Sequence, residues 1–291
     1  MVSRRAICVS RDGGLRRAVE LALASAGVAV EHCEHIPEDT RDVALVIVDR
    51  ATRQAAGGEL CGSAAPVVIV GDDLDDDGVI TIMLEAPVSH LVEDPHDRNL
   101  GITSEKLASG DLFGLEKYLA SGVAVGERAI TSDADKRHAM GEVCAWAEAV
   151  GARRPIVHRL ASVVDELMMN ALYDTPGVPG GDDLRAMLRW GADDQVIAIS
   201  VSDTFGALRQ RDVIDHVRRA RSERGRPRPE THVQRGAGLG LYLVLANVAS
   251  LVINVEVGRR TEVVCLFDRA RSGRPAVSCV RSLHVFQASA S

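Results

Sequence analysis

Two continuous runs of apolar, mostly β-branched residues constrain the fold of this chain more than any other feature. VALVIVD (43–49) and PVVIV (66–70) contain no polar residue before their last positions, as expected of strands covered by helices on both faces of a sheet. AICVS (6–10) and VSHLV (88–92) fit the same sheet, and LRRAVELALASAG (15–27) has the apolar spacing and terminal Gly of a helix. This alternation predicts an α/β fold with a doubly wound parallel sheet in the first hundred residues.

The order of predicted elements changes after about residue 100. Residues 94–110 are polar and contain Pro and Gly, which favours a boundary between domains. Helical patterns then fill 111–121, 134–150 and 155–173. Strand patterns follow at 183–190, 195–202, 251–257 and 261–267, and the first two flank the turn GADD as in a β-hairpin.

Helices followed by strands predict a C-terminal α+β sandwich that differs from the N-terminal α/β sheet. We therefore divide the chain into a domain at 1–100, a connecting helix or linker at 101–133, and a second domain at 134–291. We find no internal repeat and no low-complexity segment in the sequence.

Charge, aromatic content and cysteine usage exclude several classes of protein. The net charge of −7 argues against a general nucleic-acid binder, and the aromatic content of 3% argues against a base-stacking surface. No apolar run is long enough to cross a bilayer or to form a signal peptide. The six cysteines include no C-x-x-C pair, which favours buried thiols in a reducing compartment. We therefore expect a cytoplasmic protein with no membrane partner.

Asp49 ends the run VALVIVD, at the edge of a parallel sheet where ligands bind. In element order the first hundred residues resemble the receiver domains of two-component response regulators, which implies Asp49 as a phosphoacceptor. The chain departs from that family because Ser10 and Arg11 replace the acidic pair that holds Mg²⁺, Gly71 replaces Thr or Ser, and residues 93–95 (EDP) replace Lys-Pro. Without a metal and a cation a phosphoryl group is poorly stabilised, so docking or homodimerisation of a receiver-like fold is the alternative.

A polar stripe crosses the helix predicted at 155–173. Glu166 and Asn170 lie one turn apart and border the apolar face of that helix. An amide oxygen together with phosphates can hold Mg²⁺, and a nearby carboxylate can accept a proton from an attacking hydroxyl. Polar residues beside an apolar stripe are also the ordinary flank of a helix, so the meaning of this pair depends on other motifs.

Two further motifs follow along the chain. Asp203 ends the strand pattern QVIAISVS, where a buried carboxylate can accept a hydrogen bond from an exocyclic amine such as that of adenine. The sequence GAGLGL (236–241) places three glycines at the start of a helix, where the backbone can approach phosphates and the helix N-terminus favours anions.

Taken in order, these motifs resemble the GHKL ATPases, the superfamily of histidine kinases, gyrase-type topoisomerases and MutL-type repair proteins, and within it the anti-sigma-factor serine kinases. The resemblance covers about 140–270. It implies ATP and Mg²⁺ as cofactors, Asn170 as a magnesium and nucleotide ligand, and Glu166 as the catalytic base. It also implies nucleotide-binding roles for Asp203, Gly206, Arg235, Gly236, Gly238, Leu239, Gly240 and Thr261.

The same segment departs from the family at several positions. Phe205 and Ala207 stand where the first glycine box has Gly, and the His that follows the family's Asn-Ala is absent after Asn170. The Arg-rich segment 209–235 would be the lid over ATP, or a surface for an acidic partner or nucleic acid.

Two functions remain open from the sequence. The first is an ATP-binding bacterial signalling protein that acts on a protein partner, as a protein serine kinase or as a nucleotide-dependent switch. The alternative is a non-catalytic scaffold built from degenerate receiver and ATPase domains.

Overall fold

The structure is a computed structural model, and it describes residues 4–56, 63–71, 82–83, 88–173, 186–209, 211–213, 215, 238–269 and 282–288. The fold is mixed α/β, with parallel and antiparallel strand pairs. The chain divides into two compact units, one of Met1–Phe113 with Arg281–Phe286 and one of Gly114–Val280 with Gln287–Ser291. No helix in the described part of the chain is long and apolar enough to cross a membrane.

The first unit contains the predicted parallel sheet. Its strands are β1 (Arg5–Val9), β2 (Ala29–Cys33), β3 (Leu45–Asp49), β4 (Val67–Val70) and β5 (Val88–Val92). They pair in parallel in the order β2-β1-β3-β4-β5, which is one of the common orders of doubly wound sheets and has its switch point between β1 and β3. β4 is buried along its whole length, as its uninterrupted apolar sequence predicts.

Three described helices belong to this unit: α1 (Gly13–Ser25), α2 (Arg50–Ala56) and α3 (Arg98–Ser109). α3 lies within the polar segment 94–110, which the sequence analysis took as a place for a domain boundary, and it runs across position 100. Asp97 caps the start of α3, and Gly110 ends it in the left-handed conformation with φ +76°.

Polar side chains of α3 face inward, where they contact other polar side chains. Asn99 donates to the Ser282 hydroxyl over 3.1 Å, and the Thr103 hydroxyl lies 3.2 Å from Nδ1 of His284. These partners belong to β11 (Ser282–Ala288), which pairs antiparallel with β5. Residues 281–286 therefore belong to the first unit, although the sequence analysis assigned them to the domain at 134–291.

The second unit contains an antiparallel sheet with helices packed on it. Its strands are β6 (Gly126–Ile130), β7 (Ala186–Ala192), β8 (Val196–Asp203), β9 (Ser250–Glu256) and β10 (Arg260–Asp268). They lie in the order β9-β10-β8-β7-β6. The predicted hairpin is confirmed as β7–β8. The helices are α4 (Asp133–Ala149), α5 (Arg154–Tyr173) and α6 (Gly238–Asn247), and α5 packs between the other two.

At the start of this unit one predicted helix is wrong and one strand was missed. The helix expected at 111–121 is reduced to a 3-10 turn at Leu115–Tyr118, because Gly114 interrupts the chain with φ +117°. Leu115 and Tyr118 are both buried, and their spacing of three produced the helical pattern. β6 was not predicted at all, since its short sequence GERAI has little apolar alternation.

Candidate functional site

The polar stripe of α5 lies at the border of the second unit's core. Leu160, Val164 and Met168 are fully buried, while Glu166 and Asn170 are half-buried one turn apart. α5 packs against β8 and β10 of the sheet. Glu166 and Asn170 therefore share one stripe on a helix that packs on the sheet carrying Asp203 and Thr261.

Glu166 meets the glycine-rich helix start directly. α6 begins at Gly238 as predicted, and a Cβ on Gly240 would lie 2.9 Å from Cδ of Glu166 and closer still to one of its carboxylate oxygens. Only a residue without a side chain fits there unless the carboxylate moves. Gly240 is therefore the position at which the Glu166 side chain of α5 approaches the first turn of α6. Leu239 is the second residue of α6.

Arg235, Gly236 and most of the predicted lid (209–235) lie outside the described residues, which include only positions 209, 211–213 and 215 of that lid.

Asp203 is the last residue of β8 and closes the turn that follows it. Its Oδ1 accepts hydrogen bonds from the backbone amides of Phe205, over 2.8 Å, and Gly206, over 3.3 Å. Thr261 of β10 is buried and lies directly opposite Asp203 in the strand pair. Burial raises the pKa of the Asp203 carboxyl above its ordinary value, while the amide hydrogen bonds lower it.

Backbone packing explains why residue 206 is a glycine. Its φ is +59°, and a Cβ there would overlap the Glu256 carbonyl oxygen and lie 2.7 Å from the Arg259 nitrogen. The Gly258 amide also donates to the Gly206 carbonyl over 3.1 Å. Gly206 is therefore fitted against the turn between β9 and β10. Phe205 is half-buried beside it, which the sequence could not show.

In the first unit, Asp49 lies at the carboxyl end of β3, as predicted, and caps the next helix. Its Oδ1 accepts from the Thr52 amide over 2.6 Å at the start of α2. Asp12 does the same for α1, because its Oδ1 accepts from the amides of Gly14 and Leu15 over 2.7 and 3.2 Å. Within the described ranges, no group of three or more His, Cys, Asp or Glu side chains is arranged to hold a metal ion.

A cleft of about 720 Å³ opens at this edge of the first unit's sheet. It is lined by the β1–α1 connection, the start of α2, the end of β4 and the segment after β5. The sequence analysis did not predict this cleft, although the predicted order of strands and helices places these connections at one edge.

No protein-family model matches the chain. No curated protein matches it either. Among solved structures, the SiaB-SiaC complex from Pseudomonas aeruginosa matches over 50% of this chain and 89% of its own matched chain, with 12% identity and a TM-score of 0.36. A TM-score this low supports no conclusion about function.

Proposed function

We propose that the chain is an ATP-binding signalling protein whose second unit is a nucleotide-binding module of the GHKL type. The observation that carries this proposal is the contact between Glu166 of α5 and Gly240 at the start of α6. In the implied arrangement the metal-holding helix and the phosphate-binding helix start must meet. In this chain α5 and the start of α6 meet at Gly240, where any side chain larger than hydrogen would displace the Glu166 carboxylate.

The side chains at this site have the chemistry that ATP and Mg²⁺ require. Asn170 offers an amide oxygen to a hard cation, and the first amides of α6 offer donors to phosphate. Asp203 offers a carboxylate, largely removed from water, to an exocyclic amine, with Thr261 beside it. Bound Mg²⁺ would neutralise phosphate charge. Glu166 would take the hydroxyl proton of a partner's serine in a kinase.

The first unit would then be a receiver-like regulatory unit without a built metal site. Its parallel order β2-β1-β3-β4-β5 and the position of Asp49 support the receiver-like assignment. The capping roles of Asp12 and Asp49 favour a unit that does not receive a phosphoryl group. We therefore assign regulation, through a protein partner, to this unit without phosphorylation.

The substitution Asp203→Asn tests nucleotide binding without destroying the turn. An Asn Oδ1 can still accept from the amides of Phe205 and Gly206, and loss of a desolvated charge should leave stability equal or higher. The amide group would face the adenine amine with a donor in place of an acceptor. Isothermal titration with ATP and Mg²⁺ should show binding by the wild type and affinity at least about tenfold lower in the variant.

Asp97→Asn is the matched control, because Asp97 also accepts a backbone amide hydrogen bond, at the start of α3 in the first unit. It should bind ATP like the wild type. Absence of heat with the wild type, or equal affinity in the Asp203 and Asp97 variants, would contradict the proposal.

The alternative is a non-catalytic scaffold that binds a protein partner. The packing of Gly206 on the β9–β10 turn and the half-buried Phe205 favour it, because the first glycine box then serves the fold and not a ligand. Denaturation of protein purified under native conditions distinguishes the two functions. Release of a bound adenine nucleotide supports ATP binding and counts against the scaffold.

A further inference from the structure

The cleft of the first unit has the location and size of a small-molecule site. Val9 ends β1, Asp49 ends β3 and Val70 ends β4, and all three line the cleft with Pro95, which follows β5. Ligands of open parallel sheets bind at the carboxyl ends of the strands next to a switch point, which in this sheet lies between β1 and β3. The volume of about 720 Å³ lies within the range of sites for small organic molecules.

Two of the three acidic residues that line the cleft, Asp12 and Asp49, already have partners in the backbone, and the third, Glu34, is exposed in the segment after β2. Asp12 accepts two amide hydrogen bonds at the start of α1, and Asp49 accepts one at the start of α2. A cation or a phosphoryl group on either carboxylate would compete with these helix caps, each of which contributes about 1 kcal/mol. The arrangement therefore favours a ligand that leaves both carboxylates as they are.

Cationic side chains line the same cleft from two different elements. Arg11 is exposed in the β1–α1 connection, and Arg50 is the first residue of α2. The start of α2 lies close to the end of β4, because a Cβ on Gly71 would be 2.9 Å from Cβ of Arg50. Gly71, which replaces the hydroxyl residue of receivers, thus makes room for an arginine at the cleft. Guanidinium groups bind carboxylate, sulfonate and phosphate through paired donors.

Apolar side chains form the rest of the wall. Leu15, Ile36 and Val70 are half-buried or buried there, and Ala51 and Ala55 of α2 are exposed beside them. Small alanines on α2 leave space, and apolar contacts of this kind match an aliphatic or aromatic body.

We propose that this cleft, lined by Arg11, Arg50, Leu15, Ile36 and Ala55, binds a small organic anion with an apolar body, without covalent chemistry. The anionic group contacts the arginines, and the body packs on the apolar wall. Binding replaces phosphorylation as the input to the first unit. This inference does not depend on ATP binding by the second unit.

Anilinonaphthalene sulfonate is a suitable probe, because it joins a sulfonate to an apolar ring system. Titration of the full chain, followed by dye fluorescence, should saturate at one site. Arg11→Gln should raise the Kd about tenfold, the effect of losing one charge-assisted contact. Arg17→Gln is the matched control, since Arg17 is exposed on α1 and does not line the cleft. It should leave the Kd unchanged.

Two further variants make the result decisive. Ala55→Trp projects a ring from an exposed position into the cleft and should abolish saturable binding while the melting temperature stays the same. Asp203→Asn should bind the dye like the wild type, which separates this site from the ATP site.

Three results would overturn the proposal. They are equal affinities of the Arg11 and Arg17 variants, undiminished binding by Ala55→Trp, and a phosphoryl group on Asp49 after incubation with acetyl phosphate. The last is read by mass spectrometry with Asp49→Asn as its negative control, and it would identify the cleft as a phosphotransfer site. Failure of ATP binding would leave the dye result unaffected.

Discussion

The first unit should lose stability in mildly acidic solution because two histidines are buried at the junction of β5 and β11. His90 and His284 face each other in the strand pair, are at most 1% exposed, and have ring centroids 5.6 Å apart. The Lys106 ammonium of α3 lies 3.9 Å from the centroid of the Phe286 ring, which stacks near both histidines. The Thr103 hydroxyl contacts His284 from the same helix.

Burial and the positive charge of Lys106 hold both imidazoles neutral. Burial, aided by Lys106, lowers the pKa of His284 to about 3. Burial, His284 and Lys106 hold the pKa of His90 well below its ordinary value. When the chain unfolds, both return to a pKa of about 6.5. The unfolded chain then binds protons that the folded chain excludes, so the free energy of unfolding falls as the pH falls below about 6.5.

Between about pH 7.5 and about pH 5.5, His284 lowers the free energy of unfolding by about 1.4 kcal/mol. The reason is that His284 stays unprotonated in the folded chain over that interval, whereas it gains a proton in the unfolded chain. His90, whose pKa is shifted in the same direction, adds to this loss. Such a loss is a large part of the stability of an ordinary domain.

Urea unfolding at the two pH values measures this difference. The chain's two tryptophans, Trp146 and Trp190, both belong to the second unit, so tryptophan fluorescence follows that unit alone. Circular dichroism follows both units. The unfolding transition whose midpoint depends on pH should change the circular dichroism signal and leave the tryptophan fluorescence unchanged.

Replacement of His284 should remove its share of the pH effect. His284→Gln should lower the difference between the two pH values by about 1.4 kcal/mol, whatever it does to stability at neutral pH. His138→Gln is the control, because His138 is exposed on α4 and should leave the difference unchanged. The reasoning is refuted if the wild type is equally stable at both pH values, or if His284→Gln retains the full difference.

Four glycine substitutions test the packing of the second unit. Gly206→Ala should lower the free energy of unfolding by about 3 kcal/mol or more, while Gly258→Ala, which has positive φ but open space, should lose only about 1 kcal/mol in the same urea titration. Gly126→Ala would place a Cβ within 2.5–2.8 Å of the Trp190 ring and should cost about 1–3 kcal/mol with a shift in tryptophan emission. Gly240→Ala should displace the facing carboxylate, lowering ATP affinity in calorimetry with under about 1 kcal/mol lost in stability.

The sequence predicted the elements whose apolar residues are regular and local. β3 and β4 are uninterrupted apolar runs, and α5 has a clear apolar stripe, so burial follows from the neighbouring sequence alone. α3 could not be predicted in this way. The polar partners of Asn99 and Thr103 lie 183 and 181 residues away in β11, and no local pattern reveals such partners.

For the candidate site, the sequence indicated which side chains could carry chemistry but not what else they do. Gly206 matched a nucleotide-binding motif, yet its contact with the Glu256 carbonyl follows from the path of the β9–β10 turn. The contact between Glu166 and Gly240 joins residues 74 positions apart, and only the packing of α5 on α6 brings them together. The sequence could therefore nominate candidate residues, whereas the contacts among them depend on the packing of distant segments.

The aspartates at motif positions share one structural role that changes how they should be tested. Asp12, Asp49 and Asp203 each end a strand or follow it closely, and each accepts one or two backbone amide hydrogen bonds from residues two or three positions further along the chain. Replacement by Ala removes these hydrogen bonds, at about 1 kcal/mol each, so a loss of function in an Ala variant would confound the site with the turn. Asn retains the acceptor and removes only the charge. A function that is lost in Asn and Ala variants alike requires the carboxylate, whereas a function lost only in the Ala variant requires the turn.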